Sequence, residues 1–237
     1  MNNSRTITRW NNIWQFFPKN ILFRPNIKII NEVLKIFNKK VNNLKILEVG
    51  AGSGSDCVTL AKYGAKCYAL DFSAEALRVC QKTAKKYGVK IISIKSDCQK
   101  IPYKNNFFNV VFSAGLIEHF KNPIPILKEQ LRILDKKGYL IVDVPQRYNL
   151  YTISKHLRMF FNTHPFGWET EYSKRDLKII GTKLKLKLIK IYGRDSALSN
   201  HLPDQLNKIW KKFFTKIESS KIAPYFCLHL GAIYQKI

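Results

Sequence analysis

Apolar positions near the start of the chain recur at helical spacing. Ile27, Ile30, Val33, Leu34 and Phe37 predict a helix over residues 26–38. The period then changes. Residues 44–49 form a short apolar run, broken only by Lys45 and Glu48, and read as a strand. A helix over 56–63 follows, stopped by Gly64, and then a strand over 66–70 that ends at Asp71. Ser73 suits an N-cap for a helix running through Lys86, with Leu77, Cys80 and Ala84 on one face. Strands are predicted over 89–94 and 107–113, and a short helical stretch over 116–120. Pro123 opens a helix through Leu134, and 138–144 is a further strand. Strand alternates with helix throughout, which implies an α/β fold with a parallel sheet and right-handed crossovers.

Pro145 marks a change of pattern. Residues 146–172 carry Tyr148, Tyr151, Phe160, Phe161, Phe166, Trp168 and Tyr172 with polar residues between, as expected of an insertion folded over a sheet edge. A helix is predicted over 173–180. Over 182–192, Leu184, Leu186 and Leu188 alternate with Lys183, Lys185 and Lys187, the pattern of a half-buried strand. Its lysine row reads as protection of a sheet edge rather than as a recognition patch. Residues 203–219 predict an amphipathic helix, with Leu206, Ile209, Trp210, Phe213, Phe214 and Ile217 on one side and Lys208, Lys211, Lys212 and Lys216 along its border. Such a face suits a membrane surface, but packing on its own protein is the favoured reading. A last strand is expected over 226–234. The organisation is an N-terminal helical segment over 1–40, a nucleotide-binding core over 41–145, and a lid with a C-terminal strand pair over 146–237 that completes the same domain.

Composition agrees with a folded domain. The chain has 237 residues, 46% hydrophobic and 13% aromatic, enough for one large α/β core. No apolar run approaches membrane-spanning length. The cluster Trp10, Trp14, Phe16 and Phe17 is too short and interrupted for a signal peptide, so a cytoplasmic protein is expected. Cys57, Cys67, Cys80, Cys98 and Cys227 are odd in number and show no Cys-x-x-Cys or zinc spacing, so reduced thiols and no metal site are expected. The net charge is +25, weighted towards the two ends: residues 1–40 hold 8 bases and 1 acid, 41–146 hold 16 and 9, and 147–237 hold 17 and 6. This field favours an anionic partner: nucleic acid, an anionic membrane surface touched peripherally, or an acidic substrate. Scattered lysines on solvated faces, in a chain rich in Lys, Asn and Ile, account for it equally simply.

The candidate chemistry lies at the end of the first strand. Residues 46–54 read Ile-Leu-Glu-Val-Gly-Ala-Gly-Ser-Gly, with glycines at 50, 52 and 54. A strand that stops in glycines and turns into a helix brings bare backbone to a ligand. The dinucleotide pattern Gly-x-Gly-x-x-Gly would put its last glycine at 55, where this chain has Ser55, and no phosphate-binding lysine follows. Glu48 just before the glycines suits a cationic amino group, and Asp71 suits a vicinal diol because a carboxylate accepts two hydrogen bonds. A ligand with an ammonium, a sulfonium and a ribose fits these groups better than a pyrophosphate does.

On these residues the chain resembles the class I S-adenosylmethionine-dependent methyltransferases, in particular the small-molecule subfamily that includes quinone-biosynthesis enzymes. The resemblance covers residues 40–145 well and the C-terminal strands loosely. It implies a Rossmann-like seven-stranded, mostly parallel sheet with helices on both faces and an antiparallel C-terminal strand. It implies S-adenosyl-L-methionine as cofactor: Glu48, Gly50, Ala51, Gly52 and Gly54 around the methionine part, Asp71 on the ribose hydroxyls and Phe72 against adenine. Asp97 would take the adenine amino group, Cys98 would offer its backbone N–H, and Ala114 would close the pocket by backbone contact. The segment Leu116-Ile117-Glu118-His119-Phe120 resembles the stretch that borders the transferred methyl. His119 is the candidate catalytic base, with a pocket-shaping histidine as the equal alternative. Glu118 is expected to face backbone or solvent.

The function implied is methyl transfer to O, N or C of a small-molecule acceptor. RNA or other nucleic-acid methylation is the main rival. Against it, residues 113–116 read Ser-Ala-Gly-Leu and lack both the Asn/Asp-Pro-Pro-Tyr motif and a Pro-Cys nucleophile. Paired glutamates for arginine methylation are absent there, and Ser55 disfavours a nicotinamide enzyme. A non-catalytic S-adenosylmethionine-binding protein stays open, since binding residues do not prove turnover.

Overall fold

A computed structural model of the chain describes residues 4–16, 23–149, 152, 155, 156, 160, 161, 169–196, 205, 208, 209, 212, 213 and 227–237. Helix α1 is Ser4–Phe16 and α2 is Ile27–Ile36, the latter capped by the Asn26 side chain, which accepts from Ile29 N at 3.2 Å. Strand β1, Lys45–Val49, leads through the glycines into α3, Ser55–Lys62. Strand β2, Lys66–Asp71, is followed by α4, Ala74–Lys86, whose N-cap is Ser73 as its sequence position suggested. Then come β3 (Ile91–Lys95), β4 (Phe108–Ala114), a 3-10 turn (Ile117–His119), α5 (Ile124–Ile133) and β5 (Leu134–Pro145). Helix α6 is Lys174–Lys183, opened by a capping box between Ser173 and Asp176. Strands β6 (Leu186–Ser196) and β7 (Cys227–Lys236) end the chain.

The seven strands form one sheet in the order β3-β2-β1-β4-β5-β7-β6. Strand β1 runs parallel to β2, with Ile46 opposite Cys67, and parallel to β4, with Ile46 opposite Val110. The pairing of β4 with β5 climbs in step, from Phe107 N donating to Ile133 O to Gly115 N donating to Asp143 O, and is parallel too. The C-terminal strand reverses: Gln146 N donates to Leu228 O near one end of β7, and Lys236 Nζ to Leu134 O near the other. The mostly parallel sheet with an antiparallel ending is the architecture that the resemblance implied.

The chain divides into two compact units. Unit 1 is Met1–Ala114, Ile124–Ile141 and Lys236–Ile237; unit 2 is Gly115–Pro123 and Val142–Gln235. Within unit 1, Ile46, Leu47, Val110, Val111 and Phe112 are fully buried, as the apolar runs require of strands covered on both faces. Tyr68 packs edge-on against Phe108 at a centroid distance of 5.0 Å. Within unit 2, Tyr234 is fully buried and donates from its hydroxyl to Leu177 O at 2.7 Å. Its ring fills the space that a side chain at Gly181 would need, and the Tyr192 ring does the same at Gly231.

Three expectations about elements change. The strand expected over 182–192 starts later: Lys183 is the last residue of α6 and Lys185 lies in a turn with φ 54°. The capping box starts a helix that runs on past Gly181 against the Tyr234 ring, so only Lys187 of the supposed lysine row is in the strand. That strand is still the last in the sheet order, at an edge. Strand β5 begins at Leu134, not at 138; exposed Lys136 and Lys137 disguise its first turn. Of the aromatic segment, Tyr151, Phe166 and Trp168 lie outside the described residues; Tyr148, Phe160 and Phe161 are exposed and Tyr172 is buried. The helix expected over 203–219 lies mostly outside them as well; of its described residues, Ile209 and Phe213 are exposed.

The tight seat of Tyr192 gives a test. Gly231→Ala forces a methyl group into that ring and is expected to destabilise the protein by about 1–3 kcal/mol. Urea denaturation checks this, and an unchanged midpoint would show that the ring has room to move.

Candidate functional site

The glycine run is held from β2. Gly50 N and Ala51 N both donate to Leu70 O, at 2.8 and 3.0 Å. Gly52 N donates to Asp71 Oδ2 at 3.0 Å, and Ser73 N donates to Asp71 Oδ1 at 2.9 Å. Asp71 therefore does the work of a turn former, yet a carboxylate has about four acceptor positions, so capacity remains for ligand hydroxyls. Burial raises its pKa, and the hydrogen bonds from Ser73 and Gly52 oppose the shift.

The alternate glycines have a local reason. Gly52 and Gly54 have φ of 51° and 65°, in the left-handed region. A Cβ at Gly54, the N-cap of α3, would overlap Cys80 Sγ, and one at Gly52 would overlap the Trp14 ring. Glu48 is buried below the loop and accepts from Cys57 N, in the first turn of α3, at 3.2 Å. Burial, with Asp56 nearby, pushes its carboxyl well above the usual range.

Beyond the loop, Phe72 is half-buried in the bend after β2. Asp97 accepts from Gln99 N at 2.9 Å, an Asx turn after β3. Cys98 follows, its thiol pushed up to about 12 by burial and by Asp97. Ala114 ends β4, half-buried. Unit 1 thus carries Glu48, the glycines, Asp71, Phe72, Asp97, Cys98 and Ala114 at or just beyond the carboxyl ends of successive parallel strands, where open α/β sheets bind ligands.

Helix α1 adds residues that the motif reading missed. Trp14 lies on Gly52, and Ser73 Oγ donates to Asn11 Oδ1 at 2.7 Å. Arg24 N donates to Ser55 Oγ at 3.2 Å, and Asn26 N donates to Asp56 Oδ1. The 1–40 segment therefore covers the glycine loop. The available signal was the spacing of Trp10, Asn11 and Trp14, which are neighbours on a helix surface.

Unit 2 holds the other candidates. His119, on the 3-10 turn, is half-buried and its N–H donates to Leu116 O at 3.2 Å. Glu118 is 3% exposed, so it does not face solvent; a backbone N–H, its own, does meet the carboxyl. Thr170 N donates to Glu118 O at 2.9 Å, which lays residues 169–172 along the turn and covers it. Lys155 Nζ lies 2.9 Å from Glu169 Oε2 and 2.5 Å from Glu171 Oε1, the second a charge contact without aligned hydrogen-bond geometry. Arg194 grips Asp143 through Nε at 3.0 Å and Nη2 at 2.8 Å. Burial, with Glu169 and Asp143 adding to it, pushes Glu118 up to about 8. In the sequence this cluster shows only as Glu169 and Glu171 two residues apart within a basic, aromatic stretch.

Comparison with known proteins bears on residues 47–142, which match a family described as a methyltransferase domain. Norajmaline N-methyltransferase of Rauvolfia serpentina is 31% identical over 115 residues, covering 45% of this chain and 39% of that protein. The chain spans about two-fifths of the length of the curated relatives it matches, 36–40% for the first three. Among solved structures, the magnesium protoporphyrin IX methyltransferase of Synechocystis with bound SAH superposes with a TM-score of 0.64 at 14% identity, over 99% of this chain and 95% of that one. A possible histamine N-methyltransferase of Thermotoga maritima gives 0.61 at 18% identity, over 97% and 94%. At these identities the structural likenesses speak for the fold. None of these three likenesses singles out quinone biosynthesis. The matched methyltransferase domain, the strand order and the acids that follow β1, β2 and β3 all agree with the resemblance to the class I S-adenosylmethionine-dependent methyltransferases.

Proposed function

We propose that the chain transfers the methyl group of S-adenosyl-L-methionine to a small-molecule acceptor. The observation that carries this is Asp71, a buried acid that closes β2 and holds the glycine loop through Gly52 while keeping acceptor capacity. In this reading Asp71 binds the ribose hydroxyls and Phe72 lies on adenine. Asp97 takes the adenine amino group, Cys98 offers its backbone N–H, and Ala114 contributes backbone. The loop Gly50, Ala51, Gly52 and Gly54, with Glu48, surrounds the methionine part.

When bound, the cofactor supplies a methyl group already activated by a positive sulfonium. The acceptor atom forms its bond to that carbon as the carbon–sulfur bond breaks, and the electron pair stays on sulfur. The protein's task is alignment and exclusion of water. His119 takes the proton that a hydroxyl acceptor must lose. The named relatives, norajmaline and ajmaline N-methyltransferases, support a nitrogen acceptor, although O and C stay within the proposal. Nucleic acid is the alternative acceptor, favoured only by the +25 charge, and an anionic membrane is a surface that the same charge would meet. Among the described residues no helix is long and apolar enough to cross a membrane.

Three results test this reading. Asp71→Ala is expected to weaken S-adenosylmethionine binding by about 100-fold or more in calorimetry, through loss of hydrogen bonds to a charged group. Unchanged affinity would remove the ribose role. His119→Ala is expected to lower turnover of a hydroxyl acceptor by about 10²–10⁴-fold; normal turnover would leave His119 only a pocket-shaping role. RNA and DNA are expected to bind weakly at physiological salt, and tight binding with a steep salt dependence would favour the nucleic-acid alternative. Labelled cofactor, offered with amines, phenols, lipid-like quinones and RNA, identifies the acceptor class directly.

A further inference from the structure

Among the described residues of unit 2, the buried acids outnumber the cations beside them. Arg194 is taken up by Asp143. Lys155 is one cation shared by Glu169 and Glu171, and His156, which meets Glu171 at 3.1 Å, is mostly exposed. Glu118 is the third carboxyl of this group and, among the described residues, forms no ion pair, Lys155 acting on it only at longer range. Its Oε2 is buried and, among the described residues, has no hydrogen-bond partner. Leaving a buried carboxyl oxygen unmet is costly, and such groups call for an explanation in the function of the site.

The other oxygen lies near the backbone of Gly115. Gly115, the residue after β4, is exposed. A Cβ built there would meet one atom within 4 Å beyond its chain neighbours, Glu118 Oε1 at 3.7 Å. The carboxyl of Glu118 therefore lies beside the exposed Gly115, just past the end of β4. Among the described residues no three His, Cys, Asp or Glu side chains are grouped to hold a metal ion, so an organic cation is the better match.

We infer that Glu118 anchors a cationic amine acceptor, its carboxylate meeting the ammonium group; this rests on the methyltransferase reading above and narrows its substrate class. The net charge of +25 does not forbid such a ligand, because exposed charges are screened beyond about 8 Å at physiological salt, and the adjoining acids act at contact.

The chemistry has a proton signature. The groups facing Glu118 are Asp143 from β5, Glu169 and Lys155, with Tyr172 close enough that Glu118 helps burial to push its phenol upward. Burial pushes Glu118 up to about 8; its own backbone N–H and Lys155 oppose the shift, Glu169 and Asp143 add to it, and at pH 7 the carboxyl mostly holds its proton. An entering ammonium and that carboxyl then share one proton where the two held two apart, and the other leaves to solvent. Binding at pH 7 releases roughly one proton. Affinity rises as pH approaches 8 and levels off above it, until the amine itself titrates.

The experiment uses the full chain. S-Adenosylhomocysteine binding is measured first. Phenethylamine, tryptamine and N-methylbenzylamine are then titrated calorimetrically in phosphate and in Tris, each against the alcohol or ether of similar shape: 2-phenylethanol, tryptophol and benzyl methyl ether. At least one amine is expected to bind roughly 10- to 100-fold more tightly than its neutral counterpart, with release of a proton. Glu118→Gln is expected to remove both the preference and the proton release while S-adenosylhomocysteine still binds. Cofactor binding without amine preference in the wild type, or a preference that survives Glu118→Gln, overturns the inference. Failure of S-adenosylhomocysteine to bind the wild type overturns the methyltransferase reading, and with it the substrate class built on that reading.

Discussion

Unit 1 depends on one buried carboxylate. A loop that turns sharply beneath a ligand cannot pair its own amides in a ladder, and buried amides must find acceptors. Asp71 supplies one for Gly52 and one for Ser73, and the carbonyl of Leu70 beside it takes Gly50 and Ala51. The geometry follows from strand register: β1 and β2 run parallel with Val49 opposite Leu70, so the residues that end β2 fall beside the loop that ends β1. Ser73 is then placed to cap α4, its hydroxyl is met by Asn11 of α1, and Trp14 lies over Gly52. A turn, a helix start and the covering N-terminal helix all rest on the same side chain.

Unit 2 is organised by the opposite problem, an excess of buried acid in a chain whose net charge is +25. Taking carboxylates out of water is expensive unless cations accompany them. Arg194 answers for Asp143 with two hydrogen-bonding nitrogens, whereas Lys155 is divided between two glutamates, and among the described residues Glu118 has no ion-pair partner. Ionisable groups shifted by burial and by a specific charged neighbour gather at functional sites. Glu118 immediately precedes His119 on a turn after β4, the segment that the family resemblance already connected with the transferred methyl.

Period-2 and period-3.6 patterns separated strands from helices over residues 27–133 to within a few positions, because a buried parallel strand must be apolar on both faces and a covering helix on one. The Glu-x-Gly-x-Gly-x-Gly run and Asp71 were legible for a related reason: left-handed backbone and close approach leave few residue choices. Where local pattern and tertiary contact disagreed, contact won. The Leu/Lys alternation over 182–188 looked like a strand throughout, but its first residues extend a helix whose packing on Tyr234 is set by a residue some fifty positions away. Trp14 and Asn11 gave no motif, since their partners Gly52 and Ser73 are met only after the chain has folded back.

By itself the sequence determined the α/β class, the succession of core strands and helices along the chain and the glycine loop after β1, because each rests on short-range sterics and on the burial pattern of single elements. Only the tertiary structure decided the fate of Glu118. Burial and the company of Glu169 and Asp143 make Glu118 a buried acid with a raised pKa rather than a solvent-facing one. Desolvation and charge coupling depend on what the rest of the chain brings within a few ångströms, and no spacing in the sequence records that.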